Sequence, residues 1–183
     1  MVLLYSPSPN FGSILPAFKL FDVEGNLHDS EALPRFSALL VMFICNHCPY
    51  VRAVEDRLIQ YAAHFKPQGV LTFGICSNDS SEYPDDSPSK LYARWKEKKY
   101  IFPYLLDPSQ EIAKKFSAVC TPDFFLYNPN RQLVYRGRFD DSWKDSSLVT
   151  QQDLKGATEA VIDGKTPNSQ QNPSMGCSIK WLK

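Results

Sequence analysis

A chain of 183 residues with 20 basic and 20 acidic side chains has no net charge to steer it onto nucleic acid or an anionic membrane surface. Apolar residues make up 43% and charged residues 22%, an ordinary balance for a soluble domain with a full core. We expect residues 1–183 to form one domain, with 164–183 as a C-terminal tail. The opening MVLLYSPSPNFGS has a short apolar run, no basic start and an early proline. It does not read as a signal peptide, and no later run is long enough to span a bilayer, so the expected location is cytoplasmic.

In chain order, PAFKLFDVEGNLHDS alternates around Glu24-Gly25-Asn26, the pattern of an N-terminal β-hairpin. Ser37–Ile44 is almost continuously apolar, as in a central strand buried on both faces. From Tyr50 to Phe65 the apolar positions Val51, Val54, Leu58, Tyr61, Ala62 and Phe65 recur at helical spacing. Gly69–Asn78 reads as a second buried strand, and strand-helix-strand implies a parallel pair with a crossover. After a polar loop, Ser87 and Pro88 are suited to start a helix reaching about Lys99. FPYLL predicts a short strand, and a helix is expected from Pro108 to Phe116. DFFLYNPNRQLVYRGRF predicts a second hairpin around Asn128-Pro129-Asn130, and TQQDLKGATEAVIDG a last helix stopped by Gly164. The tail is polar and ends in MGCSIKWLK, where Lys180 and Trp181 are candidates to dock it back onto the domain. The sum is an α/β chain with a mixed central sheet and helices on both faces.

Five cysteines without a secretory signal argue for reactive or metal-binding thiols over a disulfide framework. Cys45 and Cys48 have the spacing of a redox pair and also of half a zinc site. Zinc needs about four ligands, usually as two close pairs. Cys76, Cys120 and Cys177 are isolated, and His28 and His64 offer no second pair. A composite site from Cys45, Cys48, Cys120 and Cys177 has no spacing signature behind it. Reduced core cysteines are the bland alternative, and Cys76, inside an apolar strand, suits it. Cys45 and Cys48, by contrast, flank the polar Asn46-His47 where a buried strand meets a helix N-terminus. That position favours redox chemistry, with no metal and no bound cofactor.

Local chemistry also says which sulfur leads. Pro49 belongs in a first helical turn, which puts Cys48 at the helix cap facing free backbone N–H groups. A terminus interaction of about 1–2 kcal/mol would lower its pKa by about one unit, from a free value of about 8.5. His47 could add to this or could be a solvent-facing loop residue. Cys45, upstream at the strand end, would be the resolving partner. A disulfide needs Cα atoms about 4.4–6.8 Å apart, whereas three extended residues span about 10 Å. Asn46-His47 must therefore turn, and asparagine suits a left-handed turn position. The competing geometry leaves Cys45 in the strand and gives resolution to Cys177 or Cys120.

The segments FICNHCPYV, NDSSEYPDDSP, CTPDFFLYN, YRGRFDDS and GCSIKW together resemble the thioredoxin-like superfamily, in its alkyl hydroperoxide reductase/thiol-specific antioxidant (peroxiredoxin-like) branch. The resemblance runs along nearly the whole chain and implies a thioredoxin-like fold. It also implies a cis proline facing the active sulfur at Pro122, preceded by Thr121, with Thr121-Pro122 and His47 as substrate-binding residues. The implied activity is thiol–disulfide exchange with a protein or small-molecule disulfide, and an external thiol would act as reductant. Two departures bear on this. A thioredoxin-type second cysteine would fall on Val51, and its partner here lies upstream at Cys45. The Thr and Pro that peroxide-reducing members carry before the lead cysteine are replaced by Cys45 and Val41, and Arg52 and Arg138 are only guesses for the arginine they use. Disulfide reduction is therefore expected to exceed peroxide reduction, with a thiol peroxidase or a soft-metal-binding protein as alternatives. Asp85-Asp86, just before a helix, is expected to cap it or face solvent; Asp140-Asp141 follows a strand end, and neither pair is expected to be catalytic.

Overall fold

A computed structural model describes residues 3–183. Strand β1 (Leu3–Tyr5) precedes an antiparallel hairpin of β2 (Lys19–Phe21) and β3 (Leu27–Asp29). The hairpin turns through Gly25 at φ 88°, a left-handed conformation that glycine adopts without steric cost. Then follow β4 (Ala38–Phe43), α1 (Pro49–Phe65), β5 (Val70–Cys76), α2 (Pro88–Glu97) and β6 (Tyr104–Leu106). The last third holds α3 (Glu111–Lys115), β7 (Cys120–Thr121), β8 (Asp123–Tyr127), β9 (Leu133–Gly137), α4 (Asp153–Ile162) and β10 (Met175–Ser178).

The central sheet has the order β6-β5-β4-β8-β9. β4, β5 and β6 run parallel, while β8 and β9 pair antiparallel on the other side of β4. A strand flanked on both edges and covered on both faces must be apolar at every position, and all six residues of β4 are buried. Its pleat divides them between two cores. Ala38, Leu40 and Met42 pack with residues of α1, α2 and α4, such as Val54, Leu58, Leu91 and Leu154. Leu39, Val41 and Phe43 pack on the opposite face with Phe18, Ile112, Ala113 and Phe116. Burying each such side chain stabilises the fold by about 1.5–3 kcal/mol.

Two local expectations are corrected. The helix expected over 108–116 is the shorter Glu111–Lys115. Gln110 takes φ 63° just before it, and the buried Asp107 carboxylate accepts from Ala113 N at 3.0 Å, so residues 108–110 serve as its turn. Ser87 stands at the N-cap of α2, but its side chain makes no capping bond. The C-terminal segment does dock. β10 pairs antiparallel with both β1 and β7, in a second sheet of order β1-β10-β7. Lys180 N donates to Asn78 Oδ1 at 2.8 Å, and Asp79 N to the Lys180 carbonyl at 2.8 Å. Lys180 is buried and Trp181 is exposed.

Candidate active site

α1 begins directly after Cys48, which is its N-cap, with Pro49 in the first turn. The proline loses no hydrogen bond there because the first N–H groups of a helix have no partner within the helix. Cys45 and Cys48 lie at 1% and 0% exposure, and all five cysteines are reduced. As expected from the resemblance, the Thr121-Pro122 bond is cis. It brings Thr121 against both thiols. Cys45 Sγ and Thr121 Oγ1 share a hydrogen bond of 3.3 Å, and the Cys48 thiol donates to the Thr121 carbonyl at 3.1 Å.

The electrostatics separate the two sulfurs. The largest influence on Cys48 is the hydrogen bond from the Cys45 thiol. Against the opposing effect of burial, and helped by the Cys177 thiol and the N–H groups of Val51 and Cys177, it draws the Cys48 pKa down to about 5. The Thr121 carbonyl, which receives the proton of the neutral thiol, opposes this, but more donors face the sulfur than acceptors. For Cys45 the causes run the other way. Burial first, then its donation to Cys48 and the charge of Asp86, push its pKa well above the ordinary thiol value. The surroundings thus favour the ionised form at Cys48 and the protonated form at Cys45.

The bend at Asn46-His47 is made differently from the turn expected. Neither residue has a positive φ. Instead the Asp86 carboxylate holds the bend from outside, accepting from Asn46 N at 2.7 Å and His47 N at 3.3 Å. Arg52 Nε closes the other side on the Asn46 carbonyl at 2.8 Å. Asp86 also takes His47 Nδ1 at 2.5 Å and Asn78 Nδ2 at 2.8 Å. Burial alone would raise the Asp86 pKa, but the bonds from His47, Asn78 and Asn46 outweigh it and hold it below the ordinary carboxylate value. His47 is thus not a solvent-facing residue. It stacks on Tyr83 at 5.1 Å, and its Nε2 is buried without a hydrogen-bond partner.

Asp86 is the site residue that sequence reasoning missed, having been expected to cap a helix or face solvent. Nothing in Asp85-Asp86 tells the buried carboxylate from its neighbour. Of the other acidic pair, Asp140 is likewise buried, against Arg57. Among the described residues, Cys45, His47 and Asp86 are the group whose possible metal-ligand atoms all lie within 4.8 Å. The Asp86 oxygens already accept four hydrogen bonds, so a cation there would have to displace them. His28, given no partner from the sequence, bonds Asp22 at 2.7 Å. Arg138 pairs with Asp153 at 3.0 Å, and neither it nor Arg52 bonds Cys48. Cys76 is buried in β5, and burial raises its pKa. Cys120 is buried too, its thiol turned to the Pro122 carbonyl at 3.9 Å.

Cys177 comes to the site from the far end of the chain. Its register partner across β7 and β10 is Thr121, and both its thiol and its backbone N–H act on Cys48. The backbone edge of Thr121 is thereby taken up by the chain's own strand.

The profile of the AhpC/TSA family matches residues 11–136. The chain belongs to the AhpC/TSA family. No curated protein matches it. Among solved structures, this family member is 40% identical to an uncharacterized conserved protein from Geobacillus kaustophilus, with a TM-score of 0.94 over 100% of this chain and 97% of that one. A hypothetical protein from Sinorhizobium meliloti 1021 is 41% identical, with a TM-score of 0.93 over 97% and 98% of the two chains. The thioredoxin domain of a thiol-disulfide oxidoreductase from Bacteroides vulgatus is 21% identical and matches at a TM-score of 0.59, over 70% and 89%. That likeness shows the thioredoxin fold. No helix among the described residues is long and apolar enough to cross a membrane.

Proposed function

We propose that this AhpC/TSA protein is a thiol–disulfide oxidoreductase in which Cys48 is the nucleophile and Cys45 the resolving cysteine. The observation that carries the reading is the placement of Cys48 at the N-cap of α1 with Cys45 beside it on Thr121, where its donors draw the Cys48 pKa down to about 5 and burial pushes that of Cys45 up. A thiolate is the attacking species in disulfide exchange, and a neighbouring thiol supplies a proton to the leaving group. In the first step the Cys48 thiolate attacks a substrate disulfide. A Cys48–substrate bond forms, the substrate S–S bond breaks, and the departing thiolate takes the Cys45 proton. Cys45, now ionised, attacks the Cys48 sulfur and expels the second substrate sulfur as a thiolate, which takes a proton from water. The substrate disulfide is reduced to two thiols, and the protein pair is oxidised to a Cys45–Cys48 disulfide that an external thiol reopens. Cys48 is fully buried, so access requires local opening of the segments over it.

A peroxide reductase of the same family is the other reading. The position three residues before Cys48 holds a thiol, Cys45, and no arginine bonds the Cys48 sulfur among the described residues. Steady-state turnover of a small disulfide and of hydrogen peroxide, each with an external dithiol, separates the two. We expect faster disulfide reduction, lost in Cys48→Ser. Peroxide turnover at the rate of a dedicated peroxidase would overturn the assignment.

A further inference from the structure

Cys48 has a second thiol neighbour that the scheme above leaves unused. The strongest influences on Cys45 are its burial, Cys48, Asp86 and Cys76. Those on Cys177 are its burial, Cys48 and Lys180. Cys48 is common to both and stands as the middle sulfur of three. Cys177 is delivered there by strand register, since it lies opposite Thr121 while Gly176 crosses the Thr121-Pro122 peptide. A Cβ on Gly176 would sit 1.9 Å from the Thr121 carbonyl oxygen, so only glycine lets the strand come this close. The strand is fixed on both sides of Cys177. Ser174 Oγ donates to the Gly137 carbonyl at 2.6 Å, and Ile179 N to the Val119 carbonyl at 2.9 Å.

We propose that Cys177 is a third redox cysteine, which takes the disulfide over from Cys45 and carries it out of the sheet core onto β10. The inference rests on the proposed exchange at Cys48. The Cys177 thiolate attacks Cys48 Sγ in the Cys45–Cys48 disulfide. A Cys48–Cys177 bond forms, the Cys45–Cys48 bond breaks, and Cys45 leaves as a thiolate that takes up the proton Cys177 gave away. The step is redox-neutral and needs no further reactant. Burial raises the Cys177 thiol, to about 12, and the positive charge of Lys180 partly offsets this, so Cys177 gives up its proton as it attacks. The resulting disulfide would tie the start of α1 to the C-terminal strand that covers the site.

The test is a time course of the reduced, full-length protein oxidised with glutathione disulfide, quenched by acid and alkylation and mapped by peptide mass. The wild type should show Cys45–Cys48 first and Cys48–Cys177 later, and Cys177→Ser should stop at Cys45–Cys48. Gly176→Ala should still form Cys45–Cys48 and slow the second bond by about a hundredfold, since displacement by about 1 Å is enough for that. Should Gly176→Ala fail to fold, the Cys177→Ser time course alone decides. A wild-type course that ends at Cys45–Cys48 would overturn the relay and leave the Cys48 assignment intact. Failure of Cys48 to enter any disulfide would remove the exchange reading and the relay with it.

Discussion

The two flanks of Cys48 carry the same side chain in opposite electrostatic settings. On the α1 side, Cys45 is sealed beside the negative Asp86 and near Cys76, and its thiol is pushed well above the ordinary value. On the β10 side, Cys177 is also raised by burial, to about 12, but the charge of Lys180 works to lower it. Burial and the hydrogen bond with Cys48 are the larger causes on both flanks, and what differs is the sign of the nearest fixed charge, whose Coulombic effect is less screened in a poorly hydrated site than at the surface.

Removing the centre of the comparison has the largest effect. Cys48→Ser should bring disulfide turnover to background in a steady-state assay, while Cys76→Ser, in the sheet core, should leave it within about twofold. Breaking the Cys45 flank comes next. Asp86→Ala strips the acceptor from Asn46, His47 and Asn78. Leaving buried donors without their acceptor costs about 1–3 kcal/mol, which urea unfolding would read as a lower midpoint. No loss beyond about 1 kcal/mol would mean that the Asp86 cluster is not what holds the bend.

A pH titration sharpens the comparison. Ultraviolet thiolate absorbance of the native protein should inflect near pH 5, from Cys48. The inflection should vanish in Cys48→Ser and move upward in Cys45→Ser, which lacks the donating thiol. The folded pKa lies below the ordinary thiol value, so the thiolate's contribution to stability is complete above the unfolded pKa and is lost as pH falls toward about 5. Wild type should therefore gain stability relative to Cys48→Ser between those limits as pH rises. The smallest effect belongs to Lys180→Gln. Taking one partly screened charge from the Cys177 flank should slow formation of the Cys48–Cys177 bond by about two- to fivefold, in line with about 0.5–1 kcal/mol.

The sheet and the helix start after Cys48 were legible because their signals are local. Six apolar residues in a row require a strand covered on both faces, and Pro49 after Cys48 fixes a helix start whatever surrounds it. The cis bond at Thr121-Pro122 was legible only through the family resemblance. Asp86 was not legible, since its role depends on Asn46, His47 and Asn78 reaching it from elsewhere in the chain. The pairing of Cys177 with Thr121 spans more of the chain still, and its one sequence trace is Gly176, whose need becomes visible only when the Thr121 carbonyl is in place. Gln110 was misread for a related reason. A non-glycine residue with positive φ carries no mark in the sequence, and the helix after it starts later than its composition suggests.

The central claim is that Cys48 is the attacking thiolate, and one measurement tests it most directly. A Cys45→Ser/Cys177→Ser protein, having lost both flanking thiols, is mixed with glutathione disulfide at neutral pH and the adduct is located by peptide mass. The account predicts one glutathione, on Cys48, stable until an external dithiol is added. An adduct on Cys76 or Cys120 with Cys48 unmodified would contradict it.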